Sequence, residues 1–366
     1  MEKPVKKIYL IAGEASGDLH AANLIRSMKL LSSDLDFRVW GGDHCIRVGA
    51  KVVKHIRELA FMGFVEVLFN LKTIVANLQF CKRDLLAFKP DILILVDYPG
   101  FNLRIAKWAK SKGIRVVYYI SPQLWAWKEG RIKQIRENVD QMLVILPFEK
   151  EFYKKHKIHV DFVGHPLLDV IDAYTPAVSK NIADKPMVAL LPGSRLMEVK
   201  QIWPVMLEAV KRCKEYQFVL AMASNMSEDD FVEMRSLPNL KIVKGKTYEV
   251  LIQADAALVT SGTATLETAL FAVPEVVCYK GHWLSYWIAK TVIKVNYISL
   301  VNLILNRPLV TELIQNELNP LNLIKELNLL FDPNNRGRIL NGYAELKEVL
   351  GKSGASDKAA GIILNQ

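Results

Sequence analysis

The chain has 366 residues, 51% hydrophobic and 23% charged, a globular composition that excludes intrinsic disorder as the main state and provides length for two domains. Its net charge of +10 is uneven: residues 1–180 hold 28 Lys and Arg against 19 Asp and Glu, a net +9, whereas the rest carries +1. No apolar run is long enough for a transmembrane helix, and Met1-Glu2-Lys3-Pro4-Val5-Lys6-Lys7 leads too soon into a short strand to be a signal peptide, so a cytoplasmic protein is expected.

In chain order, residues 8–12 read as a strand ending at Gly13, residues 19–31 as a helix, and residues 37–40 as a strand leading to Gly41-Gly42. Residues 91–96 are uniformly apolar after Asp91, as a strand buried on both faces should be, and residues 116–120 and 142–146 repeat the pattern around a helix at 102–111. Gly164-His165-Pro166 closes a further strand, and the polar, Pro-containing stretch 173–186 separates the halves. Residues 187–191 restart the pattern, with a helix from about Glu198 and strands at 218–221 and 256–259. Alternating strands and helices predict an α/β fold of two doubly wound, Rossmann-like domains facing across a cleft, where such sheets bind ligands. The expected boundaries are 1–172, a linker at 173–186, 187–334, and a C-terminal helical segment at 335–366. That segment is free either to cross back to the first domain or to pack on a partner chain in a homodimer.

The basic half implies an anionic partner (a phosphorylated ligand, an anionic membrane surface or nucleic acid) or only a solvated surface, and charge alone does not choose. Cys45, Cys81, Cys213 and Cys278 form no CxxC pair and are expected as buried free thiols. Gly13-Glu14-Ala15-Ser16-Gly17-Asp18 follows a strand and opens a helix, but it is not GxGxxG, and its two carboxylates would repel a pyrophosphate. Either Ser16 or Asp18 caps the helix, or the loop hydrogen-bonds a sugar. Asp97-Tyr98-Pro99-Gly100-Phe101-Asn102 ends the most buried strand, where an Asp is placed to act as a general base; Asp-x-Pro-Gly is also good turn chemistry. Leu191-Pro192-Gly193-Ser194-Arg195 offers close backbone approach, a hydroxyl and a guanidinium fork to an anion. Thr260-Ser261-Gly262-Thr263-Ala264-Thr265-Leu266-Glu267 reads as a capped helix start or as an anion cradle, with Glu267 one turn in and able to reach a ribose diol. Two phosphate-type loops in one domain favour a nucleoside diphosphate.

Other patterns are read as bland. Asp34-Leu35-Asp36 precedes a strand rather than ending one, and His156 and His159 lie in a Lys-rich turn, so no metal site is expected. The basic run 150–157 is poor in stacking aromatics, so no nucleic-acid partner is expected. Residues 59–75 carry more apolar side chains than one core-facing stripe needs; they form either a core helix or an exposed patch that docks on a membrane through Phe64, Val65, Leu68 and Leu71.

Taken together and in order, these motifs resemble those of the lipid-A-disaccharide synthases. The resemblance also includes residues 61–68, Ser121-Pro122-Gln123-Leu124-Trp125-Ala126-Trp127, Leu146-Pro147-Phe148-Glu149, Val163-Gly164-His165-Pro166 and residues 297–303, and it covers residues 12 to about 303. It implies an inverting glycosyltransferase of the two-domain GT-B type that needs no cofactor or metal. It also implies UDP-2,3-diacylglucosamine as donor, 2,3-diacylglucosamine 1-phosphate as acceptor, and peripheral attachment to the inner face of the cytoplasmic membrane. By this resemblance Asp97 is the base and Arg195 is catalytic. Ser194, Arg195, Ser261, Gly262, Thr263 and Glu267 hold UDP, and Glu14, Ser16, Asn102 and Asn302 meet the acceptor or sugar. The chain departs from the family pattern at Gly100, where many relatives have a second acid, and at Val301, where Pro is common. The alternative is another GT-B-like UDP-sugar enzyme, such as a UDP-N-acetylglucosamine 2-epimerase.

Overall fold

The computed structural model describes residues 5–59, 71–127, 129–175, 184–231, 237–281 and 295–365. The chain divides into two compact units, one of Met1–Val170 with Gly351–Gln366 and one of Ile171–Leu350.

In the first unit, strands β1 (Lys6–Ala12), β2 (Leu35–Gly41), β3 (Lys51–His55), β4 (Ile92–Val96), β5 (Arg115–Tyr119), β6 (Gln141–Val144) and β7 (Asp161–Phe162) form one sheet in the order β3-β2-β1-β4-β5-β6-β7. Every pairing is parallel. The helices are α1 (Ala15–Leu31), α2 (Asp43–Arg47), α3 (Leu71–Phe88), α4 (Pro99–Ser111), α5 (Leu124–Trp127), α6 (Ile132–Asn138), α7 (Pro147–Lys155) and α8 (Pro166–Asp172). Every residue of β4, Ile-Leu-Ile-Leu-Val, is buried, which is why its sequence does not alternate.

In the second unit, β8 (Met187–Leu191), β9 (Gln217–Met222), β10 (Leu240–Lys244), β11 (Ala256–Thr260), β12 (Glu275–Tyr279) and β13 (Thr311–Ile314) form a second parallel sheet in the order β10-β9-β8-β11-β12-β13. Its helices are α9 (Leu196–Arg212), α10 (Thr247–Gln253), α11 (Thr263–Leu270), α12 (Leu300–Leu305), α13 (Pro320–Leu329) and α14 (Pro333–Leu350). Each sheet runs outward from a central strand, returns, and continues on the other side. The strand order therefore reverses between β1 and β4 in one unit and between β8 and β11 in the other.

The stretch read as one C-terminal helical segment is two helices in different units. Gly351 (φ +83°) and Gly354 (φ +110°) break the helical path, and α15 (Ala355–Leu364) packs on α1 of the first unit. The Asp169 carboxylate accepts hydrogen bonds from the backbone N–H of Gly354, Ala355 and Ser356, which satisfies the otherwise orphaned first turn of α15. The four cysteines are buried and free. Phe64, Val65 and Leu68 lie outside the described residues, and Leu71 is the first residue of α3.

Candidate active site

The motif loops sit at the carboxyl ends of the strands that flank each reversal. Gly13-Glu14 follows β1 and Asp97-Tyr98 follows β4; Gly193-Ser194-Arg195 follows β8 and Ser261-Gly262-Thr263 follows β11. These are the crevice positions at which open α/β sheets take ligands.

In the first unit, Asp97 and Tyr98 are consecutive non-glycine residues in the left-handed region, at φ +44° and +48°. Such a pair costs a few kcal/mol and persists only where its surroundings hold it. Here the Asp97 carbonyl accepts from Asn102 Nδ2 at 2.7 Å and from Tyr118 Oη at 2.6 Å, while the Asp97 N–H donates to the Tyr119 carbonyl at 3.2 Å. Pro99 then starts α4 at the position where a missing N–H costs nothing. The Tyr98 ring lies where a Cβ on residue 13 would be, 2.4 Å from it, so only glycine fits there. The Asp97 carboxyl is pushed up to about 7, first by burial and then by the Glu14 charge. A half-buried carboxylate with a value near neutrality is suited to accept a proton.

Glu14 is half-buried and Ser16 is exposed beside this turn. Asp18 does cap a helix, but not its own. Its carboxylate accepts from the N–H groups of Gly42, His44 and Cys45 at the start of α2. Asn102 is fully buried under the turn, with its amide donating to the Val96 and Asp97 carbonyls. In this structure the Asn102 amide holds the backbone of Asp97. Two further motifs are structural in the same way. Glu149 accepts from the Ile145 and Leu146 N–H groups and from Trp125 Nε1. His165, whose burial lowers it to about 3, accepts from the Leu167 N–H.

In the second unit, Gly193 has φ +115°, and a Cβ there would stand 2.7 Å from the Glu198 carboxylate. Arg195 N-caps α9 and pairs with Glu198 at 3.0 Å, while Asn225 Nδ2 holds the Ser194 carbonyl at 2.9 Å. The Arg195 side chain is 55% exposed, so this i,i+3 pair is weak and exchangeable. The N-cap residues of α9 and α11, Arg195 and Gly262, make no side-chain cap hydrogen bond among the described residues, and the two helices start at the ends of the adjacent strands β8 and β11. Gly262 and Thr263 are exposed. Ser261 Oγ donates to the Ile298 carbonyl at 3.0 Å, and its proton is therefore committed within the protein. Burial raises the Glu267 carboxyl, which accepts from Tyr248 Oη at 2.9 Å. Tyr248 was not singled out from the sequence; no local pattern links it to a residue 19 positions on.

Asn302 is 1% exposed and fully hydrogen-bonded. Nδ2 donates to the Val310 carbonyl and to Glu312, and Oδ1 accepts from the Leu309 and Val310 N–H groups. In this structure Asn302 ties α12 to β13. Among the described residues no group of three His, Cys, Asp or Glu could hold a metal ion, and no helix is long and apolar enough to cross a membrane.

The sequence model of the LpxB family, lipid-A-disaccharide synthetase, matches residues 8–356. The chain belongs to this family. It is 41% identical to the lipid-A-disaccharide synthase of Syntrophus aciditrophicus over 97% of its length and 96% of the relative's. It is 39% identical to that of Geobacter metallireducens over 99% and 97%. As a lipid-A-disaccharide synthase family member it is a glycosyltransferase. Solved structures share its two-domain α/β fold at low identity. The glycosyltransferase of kitacinnamycin aligns with a TM-score of 0.68 at 14% identity, covering 99% of both chains. The UDP-GlcNAc 2-epimerase from Neisseria meningitidis aligns with 0.66 at 13%, covering 98% of this chain and 100% of that one.

Proposed function

We propose that the chain condenses UDP-2,3-diacylglucosamine with 2,3-diacylglucosamine 1-phosphate, giving the β-1′,6-linked disaccharide 1-phosphate and UDP. The acceptor 6-hydroxyl attacks the anomeric carbon opposite the diphosphate. Asp97 takes the hydroxyl proton as the C–O bond forms, and the bond to UDP breaks with its electron pair on the phosphate oxygen. Charge on the leaving diphosphate meets the Arg195 guanidinium and the backbone N–H groups at the starts of α9 and α11, around Ser194, Gly262 and Thr263. Glu267, oriented by Tyr248, holds the ribose, and Glu14 and Ser16 hold the acceptor sugar. The observation that carries this reading is the placement of the carboxylate loop at one sheet's reversal and of both anion loops at the other's.

The substrates are lipids, so the reading includes peripheral docking on an anionic membrane through residues 59–75 and the basic half. Support comes from Val75, 51% exposed on α3, and from the net +9 of residues 1–180.

The test is turnover with defined lipid substrates and a chelator, following UDP and disaccharide by mass spectrometry. Disaccharide is the expected product. UDP release without disaccharide would mean hydrolysis or another acceptor, and a folded protein that binds UDP but releases none would point to the epimerase reaction.

A further inference from the structure

We infer that Glu312 is a positioning residue for the donor loop, acting through the Ile298 carbonyl on Ser261; this rests on the reading of residues 261–263 as part of the diphosphate site. Four neutral donors converge on the Glu312 carboxylate. Oε1 accepts from Ser299 N at 2.9 Å, Ser299 Oγ at 2.7 Å and Asn302 Nδ2 at 2.9 Å, and Oε2 accepts from Ile298 N at 3.0 Å. Ser299 is fully buried and also caps α12 by accepting from Asn302 N. Residues 298–302 are thereby pinned to β13.

One group leaves this knot toward the site: the Ile298 carbonyl, which accepts the Ser261 hydroxyl. Ser261 N donates to the Cys278 carbonyl on the other side. The loop before α11 is thus held at both its backbone and its side chain. The Glu312 carboxylate hydrogen-bonds to Ile298, Ser299 and Asn302. It fixes the acceptor on which the loop is hung, and Asn302 contributes as a member of the same knot.

Glu312→Gln keeps the shape and breaks the logic. One oxygen becomes an NH2 group, and in either amide orientation that group faces donors: Ile298 N–H, or the Ser299 and Asn302 set. The first orientation releases Ile298 directly, and the second opposes Ser299 and Asn302 and loosens the segment that carries Ile298, so that in both the acceptor of the Ser261 hydroxyl loses its fixed place.

The experiment is a double-mutant cycle read by UDP titration calorimetry and by the KM for each substrate. Glu312→Gln and Ser261→Ala should each weaken UDP binding by about tenfold, the loss of one buried hydrogen bond. The double variant should bind no more weakly than the weaker single one. The donor KM should rise and the acceptor KM stay unchanged, a split that mere loss of folded protein would not produce. Additive losses, or unchanged UDP affinity in folded Glu312→Gln, would overturn the inference while leaving the donor site intact. Wild-type protein that binds no UDP would overturn the donor-loop reading and the inference with it, before any variant is compared. Should Glu312→Gln not fold, Ser299→Ala removes one donor from the knot and must show the same coupling to Ser261.

Discussion

Asp97 combines two costs, a left-handed backbone and a carboxyl pushed up to about 7, and both serve the proposed proton transfer. Only its ionised form accepts a proton, so turnover should climb about tenfold per pH unit below that value and level off above it. Asp97→Asn should lower kcat by roughly 10²–10⁴-fold with UDP affinity unchanged. Its effect on stability has a definite sign. The raised value means that the fold favours the protonated acid; that contribution is complete below the unfolded value near 4 and lost as pH rises through about 7. Asp97→Asn should therefore melt above wild type at pH 8 and alongside it near pH 4, a difference that thermal scans at both pH values would check. Asp97 was legible in the sequence because it ends a wholly apolar run before Pro-Gly. Asn102 and Asn302 stood out equally, but their partners, backbone groups and for Asn302 also the Glu312 carboxylate, are brought close by folding, and nothing local distinguishes an amide that supports a loop from one that binds a sugar.

At the scale of elements, the central strands were readable as apolar runs, and the helix starts as Gly- and Pro-marked turns. Three of the four edge strands were not. β3 reads Lys-Val-Val-Lys-His and β10 reads Leu-Lys-Ile-Val-Lys, half-buried with lysines that protect an open edge, and β13 is only four residues long. β12 opens with Glu275, a fully buried acid whose carboxyl is pushed well above the usual range by burial and by Glu312, and this polar letter masks a core strand. The C-terminal segment could not be divided from its pattern, because the division lies in the conformations of two glycines and in an acid far away in sequence. That acid gives a test. Asp169→Ala leaves three N–H groups of α15 without their acceptor and should cost about 1–3 kcal/mol in a denaturant titration. UDP affinity should not change, since the anion loops belong to the other unit.

At the scale of the whole molecule, the sequence carried the two-domain α/β organisation but not the membership of the last helix. The uneven charge belongs to this scale too. Vesicles containing anionic lipid should retain the protein at low ionic strength and release it as salt rises, whereas neutral vesicles should retain little. Polar replacement of Val65 and Leu68 should abolish retention without lowering the melting temperature. A variant that unfolds instead would assign those side chains to the core.

The return of α15 also sets an order of events during synthesis. All seven strands of the first sheet leave the ribosome before residue 170, yet the helix that covers α1 is made only after the second unit is complete. Until then α1 lacks the helix that packs on it in the finished fold. The nascent chain thus carries α1 without that cover throughout the translation of 180 further residues, Ile171–Leu350, and uncovered apolar surface of that kind is what chaperones shield.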